Sequence, residues 1–254
     1  MFTVLLLLCS LLVPSVNVFG AQTGQIAIST AAQLQSIQQN LSGHYILAND
    51  IDLSGVSFTP IGNEAAPFTG TFDGNGHTIR SLTLTKAGRN IGLFGYVKNA
   101  SILNLSVDQF QLNIQGEADG VKGGIGVGAI AGRAQDSIIT NCFNLGGTVK
   151  VEGKNSLYVG GIVGISDNSN LTYCANHATV TGNTQVAGIV GSANSKTATI
   201  ANCYNNGAIT GDTQVGGIVG ATTFPNSAAT PTSARVEKCF NEGAIQAKTI
   251  AGGI

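Results

Sequence analysis

The chain contains no tryptophan, a single methionine and few charges. Of its 254 residues only 10% are charged, 12 of them basic and 13 acidic. They gather into no basic patch, which argues against a nucleic-acid partner. They form no acidic run, so a solvating tail is excluded as well. The three histidines, His44, His77 and His177, are isolated, and no His-Glu-x-x-His pattern occurs. Helix-borne zinc-peptidase chemistry therefore has no ligand set in this chain. No pair of carboxylates recurs on one strand face, as a glycosidase or lyase built on stacked strands would need. The expectation is a chain with no catalytic, cofactor-binding or metal residues. Disorder is excluded too, because 43% of residues are hydrophobic.

No apolar run reaches the ~20 residues that a membrane-spanning helix needs. The run from Val4 to Val13 is broken only by Ser10 and stopped by Pro14. Its length fits an export signal over residues 1–20, with Val18 and Gly20 small enough for cleavage before Ala21. Cys9 lies inside that segment, after Leu8, and so does not read as a lipid-anchor cysteine. The mature chain is expected outside the cell or on its surface, with no membrane span of its own.

What the chain has in excess is glycine, 35 residues of it. One phrase organises them: Gly216-Gly217-Ile218-Val219-Gly220. It recurs as Ile91-Gly92-Leu93-Phe94-Gly95, Gly128-Ala129-Ile130-Ala131-Gly132, Gly160-Gly161-Ile162-Val163-Gly164 and Ala187-Gly188-Ile189-Val190-Gly191. Gly252-Gly253-Ile254 opens a sixth copy. The copies start 37, 32, 27, 29 and 36 residues apart. A repeat of this size with loop-sized slack indicates stacked units. Two further strand-like stretches follow each phrase. One runs through Ile102, Ile139, Leu171, Ile200 and Val236 and ends on Leu105, Cys142, Cys174, Cys203 or Cys239. The other begins near Thr148, Ala178, Ala208 and Ala244. Apolar residues alternate in each, as a strand with one buried face requires. The predicted fold is all-β: a right-handed parallel β-helix with three short strands per coil. Loops are expected to leave it around residues 116–122 and 221–234.

Residues 21–90 are expected to cap the stack, and residues 91–254 to form the repeats. Thr30 and Gln33 read as a capping box. Leu34, Ile37 and Leu41 follow at helical spacing, so a single short helix is predicted over residues 31–40, ended by Gly43. Asp73-Gly74-Asn75-Gly76 is a turn signal, since Asn and Gly accept positive φ.

The phrase Gly-Leu-Phe-Gly and its Gly-Ile-Val-Gly relatives, with the Asn202-to-Gly207 element, resemble the GLUG-motif repeats of exported surface proteins. The cap resembles the same family through Ala32-Gln33-Leu34, the stretch from Tyr45 to Leu53, Pro60-Ile61-Gly62 and the stretch from Phe68 to His77. The resemblance implies an exported β-helix of the kind found in adhesin-like proteins and in the N-terminal regions of IgA-specific metallopeptidases.

Several residue groups have a plain and a functional reading. Cys142, Cys174, Cys203 and Cys239 share one repeat position. An even count in an exported protein allows disulfides between stacked neighbours. Leu105 at the same position favours buried free thiols instead. A metal site is disfavoured because no His recurs beside them. Asn144, Asn176, Asn205 and Asn241 read as an amide ladder at a left-handed turn. Phe143, Tyr204 and Phe240 could form an aromatic binding stripe, interrupted by Ala175. Asp50, Asp52, Asp73 and Asn75 could hold calcium, but they read more simply as turn and strand-end hydrogen bonding. Asn40, Asn99, Asn104 and Asn170 begin glycosylation sequons.

The expected function is that of a non-catalytic surface stalk or adhesin-like module whose partner is an extracellular protein or glycan. Two alternatives stand beside it: the accessory region of a larger secreted metallopeptidase, and a β-helix that binds ice or a polysaccharide. Thr148, Thr181, Thr210 and Gln246 do not make the regular threonine ladder that ice binding would favour. A stack that stops inside a repeat exposes an open edge, so residues 21–254 are also expected to self-associate through the last coil.

Overall fold

The computed structural model describes residues 24–86, 88–115, 125–153, 157–194, 198–222 and 234–254. The expected export signal and most of the two expected loops lie outside the described residues.

The chain winds as a solenoid of parallel strands. Each strand pairs with the equivalent strand of the next coil, and the described strands stack into five parallel sheets of eight, seven, six, six and five strands. One complete coil shows the path: Ile125–Gly128, Ala131–Gln135, Ile138–Thr140, Phe143–Asn144 and Gly147–Glu152. The three strand stretches expected per coil are all present, but two of them are bent. The glycine phrase breaks at Ala129-Ile130, and the cysteine stretch breaks at Asn141, whose φ is 55°. Each bend ends one pairing direction and starts another, so a coil carries five short segments rather than three.

The corners are chemically regular. Asn104, Asn141, Tyr173, Asn202 and Lys238 all adopt positive φ at the same corner. Asn accepts that backbone more readily than most residues. Its amide also bridges coils: Asn141 donates to Asn104 Oδ1 at 2.9 Å, and Asn104 to Asp73 Oδ1 at 3.0 Å. A second corner repeats the pattern at Asn99, Asp136 and Asn168. There Asn168 donates to Asp136 Oδ1 at 2.8 Å.

Inside, residues of one kind stack in columns about 4.8 Å apart, the inter-strand spacing. Phe72, Ile102, Ile139, Leu171 and Ile200 are in register and fully buried. In the next sheet Ile51, Ile79 and Val107 continue as Asn144, Asn176, Asn205 and Asn241. Three of these asparagines have no exposed surface. Their amides bond in one direction along the stack: Asn144 to Asn176 at 3.0 Å, Asn176 to Asn205 at 2.8 Å, and Asn205 to Asn241 at 2.7 Å. The remaining N–H of Asn176, Asn205 and Asn241 goes to the carbonyl two residues on, each at 2.9 Å. Buried amides persist only when paired in this way. The expected amide ladder is therefore present, but inside the core. The left-handed backbone belongs to the residue three places earlier.

The glycine phrase faces this ladder across a narrow core. A Cβ on Gly161 would lie 2.3 Å from Asn176 Cγ, one on Gly188 2.2 Å from Asn205 Cγ, and one on Gly217 2.3 Å from Asn241 Cγ. Ala129 holds the equivalent place in the coil of Asn144, whose amide also donates to the Gly161 carbonyl at 3.1 Å. At the apex of the bend Ile130, Ile162, Ile189 and Ile218 are fully buried. Beyond it the two strands of the phrase run close together, with Tyr158 and Ile165 buried beside the seam.

The N-terminal strands belong to the same stack. Ile26–Ile28, His44–Leu47 and Thr71–Asp73 open the eight-stranded sheet. The expected helix forms at Ala31–Ser36 and tightens to a 3₁₀ turn at Ile37–Gln39. Thr30 Oγ1 accepts from Gln33 N at 3.2 Å, while Gln33 Oε1 accepts from Ser29 N at 2.7 Å. Leu34 and Ile37 are fully buried and belong to the main core. Gly43 is not a left-handed cap. Its role is close approach: a Cβ at Gly43 would lie 2.7 Å from the Tyr45 ring. The turn at Asn75 and Gly76 has φ of 51° and 78°, as expected.

The ladder predicts two stability effects. Asn205→Ala strands the Asn241 carbonyl and one Asn176 N–H, and should lower unfolding stability by about 3 kcal/mol in urea titrations. At the other end Asn144 Oδ1 is buried without a partner, next to Val107. Val107→Thr offers it a hydroxyl and should be neutral or stabilising. Val149→Thr, in an apolar setting, should cost roughly 1–3 kcal/mol.

Candidate binding face

Alternation puts the residues flanking each ladder asparagine on the outside. Two columns result on the seven-stranded sheet. Ser106, Phe143, Ala175, Tyr204 and Phe240 are in register. Asp108, Leu145, His177, Asn206 and Glu242 stand two positions further along the chain, all but Asp108 just past the strand ends. The left-handed corner adds Tyr173. The expected stripe of Phe143, Tyr204 and Phe240 is thus one column, and Ala175 is its small member, buried under its neighbours. Tyr173 is 60% exposed, Leu145 45% and Phe240 67%, large values for apolar side chains.

Polar contacts order this face. His177 Nδ1 lies 2.6 Å from Asn206 Oδ1. The His177 and Tyr204 rings meet edge to face with centroids 6.0 Å apart. Tyr204 Oη donates to Glu242 Oε2 at 2.5 Å, and that bond to a carboxylate raises the phenol pKa. Sequence reasoning found the aromatic column but missed Tyr173, Leu145 and His177. The signal was present: each lies at a fixed offset from the Cys or Asn of its repeat.

A second polar group, also missed by the sequence, gathers around Arg133. Arg133 Nε lies 2.7 Å from Asp167, and its guanidinium stands 5.3 Å from the Tyr96 ring centre. Glu64 joins Arg133 at 3.5 Å and Arg89 at 3.0 Å. Tyr96 donates to Gln135. Burial opposes the Arg133 charge, but Asp167 outweighs it and raises the pKa. The charges are balanced. The group ties the loop carrying Glu64 to the coil behind it, where Ile61 and Phe68 bridge to Phe94 and Val97. Its evident work is structural.

Asp50, Asp52, Asp73 and Asn75 all have hydrogen-bond partners within the fold. Asp50 accepts from Thr78 N at 3.0 Å and pairs with Arg80 at 2.8 Å and His77 at 3.3 Å. The Thr78 bond, then Arg80 and His77, lower its pKa. Asp52 accepts from Ser54 N and Asp73 from Asn75 N, the pattern of turns closed by their own side chains. Asn75 Nδ2 donates to the Leu47 carbonyl. His44 stands apart, exposed on the first sheet. Among the described residues no group of three or more His, Cys, Asp or Glu is placed to hold a metal ion. No described helix is long and apolar enough to cross a membrane.

Cys142, Cys174, Cys203 and Cys239 are free and buried. Their thiols donate to carbonyls of the preceding coil, Cys142 to Ile102 at 3.6 Å and Cys239 to Ile200 at 3.5 Å. The neighbouring thiol and burial together raise the pKa values of Cys174, Cys203 and Cys239.

Comparison with known proteins bears on the fold first. No protein-family model matches the chain. A crystal structure described as that of an immunoglobulin A1 protease from Bacteroides ovatus superposes with a TM-score of 0.68 at 20% identity, covering 91% of this chain and 71% of that one. That likeness establishes a shared architecture. In sequence, the chain is 32% identical over 170 residues to halomucin of Haloquadratum walsbyi, which covers 60% of this chain and 2% of halomucin. It is 33% identical over 107 residues to a protein named as a Gly-rich membrane protein in Evansella cellulosilytica, covering 38% of this chain and 12% of that protein. The chain thus corresponds to a small part of each of these two relatives.

Burial and raised pKa values predict inert thiols. In the folded chain at pH 8, Ellman's reagent should label none of the four within minutes. All four should react in denaturant. Rapid labelling of the folded chain would mean that the cysteine column is open to solvent.

Proposed function

We propose that the chain is a non-catalytic, extracellular solenoid module that holds a binding face at a fixed spacing, as a stalk or adhesin-like segment of a larger protein. The observation that carries this reading is the exposed column set on the seven-stranded sheet, mounted on coils locked by the amide ladder. A rigid backbone with repeated outward side chains suits binding at many points better than it suits chemistry at one. The export-signal pattern of residues 1–20 supports a location outside the cell. The short matches to two longer proteins support a unit reused within bigger chains, as does the GLUG-type repeat pattern.

A second reading has its own support. The shared architecture with a chain described as an immunoglobulin A1 protease favours an accessory region that positions a protease against its substrate. Both readings assign binding to this chain and leave hydrolysis to other segments.

The test separates binding from catalysis. The purified chain should neither cleave immunoglobulin A1 nor release reducing ends from soluble polysaccharides over a day at 37 °C. It should be retained on the cells or the matrix that its parent protein attaches to. Hydrolysis that persists through repeated purification would overturn the non-catalytic reading.

A further inference from the structure

We infer that the face formed by Phe143, Tyr173, Tyr204 and His177, extended by Phe240 and Asn206, is a site for an uncharged polysaccharide chain lying along the solenoid axis. This rests on the proposed binding role and names the ligand class for it.

The chemistry of the face selects the class. Sugar rings present apolar C–H faces and hydroxyl edges, so they are held by aromatic surfaces flanked by amides and other hydrogen-bonding groups. Here aromatic rings occupy three of four successive places in one column. Asn206 and His177 run beside them, and Asn141 and Asn202 edge the corner that carries Tyr173. Charge is sparse: Asp108 lies towards one end, Lys238 on the last coil, and the Glu242 carboxylate of that coil is bound to the Tyr204 hydroxyl. A nucleic acid needs several cationic contacts with phosphates, and the face supplies one lysine. A protein partner would bring an apolar patch to match. Here the exposed apolar side chains are separated by polar ones.

The geometry sets the orientation. Coils repeat about every 4.8 Å along the axis, close to the rise of one pyranose in an extended chain. Successive sugars of one strand can therefore meet equivalent positions on successive coils. Phe143 and Tyr204 are two coils apart, so they meet alternate sugars, with the small Ala175 between them. Tyr173 stands beside Ala175 on that middle coil. The His177–Asn206 and Tyr204–Glu242 contacts hold the polar groups and the Tyr204 ring in place before any ligand arrives, which limits the entropy lost on binding.

The repeats themselves supply the variants for a test. Asn holds the corner of Tyr173 at three other coils, so Tyr173→Asn keeps the left-handed backbone. Ala175 holds the column place of Tyr204 one coil earlier, so Tyr204→Ala is tolerated by the same fold. The full chain is run by affinity electrophoresis in native gels containing barley β-glucan, galactomannan, polygalacturonate or no polymer. We expect retardation by at least one of the two neutral polymers. The double variant Tyr173→Asn/Tyr204→Ala should bind about tenfold more weakly, with its urea midpoint nearly unchanged. Thr179→Ala, on another sheet, should bind as the parent does. Equal retardation of parent and double variant would overturn the assignment of this face. Retardation by polygalacturonate alone would overturn the ligand class, as would no retardation by either neutral polymer. The wider binding reading is judged separately, by retention on cells or matrix.

Discussion

Everything in this structure depends on how little room there is between the glycine phrase and the amide ladder. Gly161, Gly188 and Gly217 stand opposite Asn176, Asn205 and Asn241 at distances that exclude a β-carbon. The asparagines in turn bond coil to coil in an unbroken row. Each partner constrains the other. A side chain on the glycine would push the amide out of line, and a misaligned amide would leave buried polar atoms unpaired at a cost of about 1–3 kcal/mol each. Coil register follows, and with it every other column, including the outward one.

This explains why the repeat keeps its chemistry while its length varies. Phrase starts differ by as much as ten residues, from 27 to 37, yet register is kept within the described sheets. The variation in length does not fall within the paired segments. The first copy also fits, although its bend is one residue shorter: Ile91 pairs with Val127, and Phe94 with Ala131. Its ladder place is Val107, not Asn, and that change leaves Asn144 Oδ1 without a partner. The ladder therefore has a polarity and a definite beginning.

Much of the fold was legible in the sequence because stacked repeats write their contacts at fixed offsets. The glycine phrase, the cysteine position, the helix cap at Thr30 and the turn at Asn75 all follow from local patterns. What was hidden depends on distance across the coil. Nothing near Gly188 in the sequence says that Asn205 lies against it. The break of three strand stretches into five segments arises in part from left-handed corners at residues such as Tyr173 and Lys238, which have no special preference for that backbone; the other break lies in the glycine phrase. The Arg133 group was hidden because Glu64, Arg89 and Asp167 come from separate coils. The binding face was half visible: the aromatics stood out as a row, but Tyr173, Leu145 and His177 joined them only through the register of the sheet. The cysteines could be read as thiols or disulfides, and the Leu105 equivalence pointed to the buried thiols that the structure contains.

The most direct test of the central constraint is a double-mutant cycle between Gly161 and Asn176, with unfolding free energy as the readout. Gly161→Ala in the parent chain should cost several kcal/mol, because its methyl group meets both the Gly188 carbonyl and the Asn176 amide. With Asn176→Ala already in place the amide is gone, while the Gly188 carbonyl, 2.2 Å from the same Cβ, remains. The substitution should then still be costly but less so, by a coupling of roughly 1–3 kcal/mol. Additive costs within about 0.5 kcal/mol would mean that the glycine and the amide are independent. The contact between glycine and amide would then not set the register of the coils.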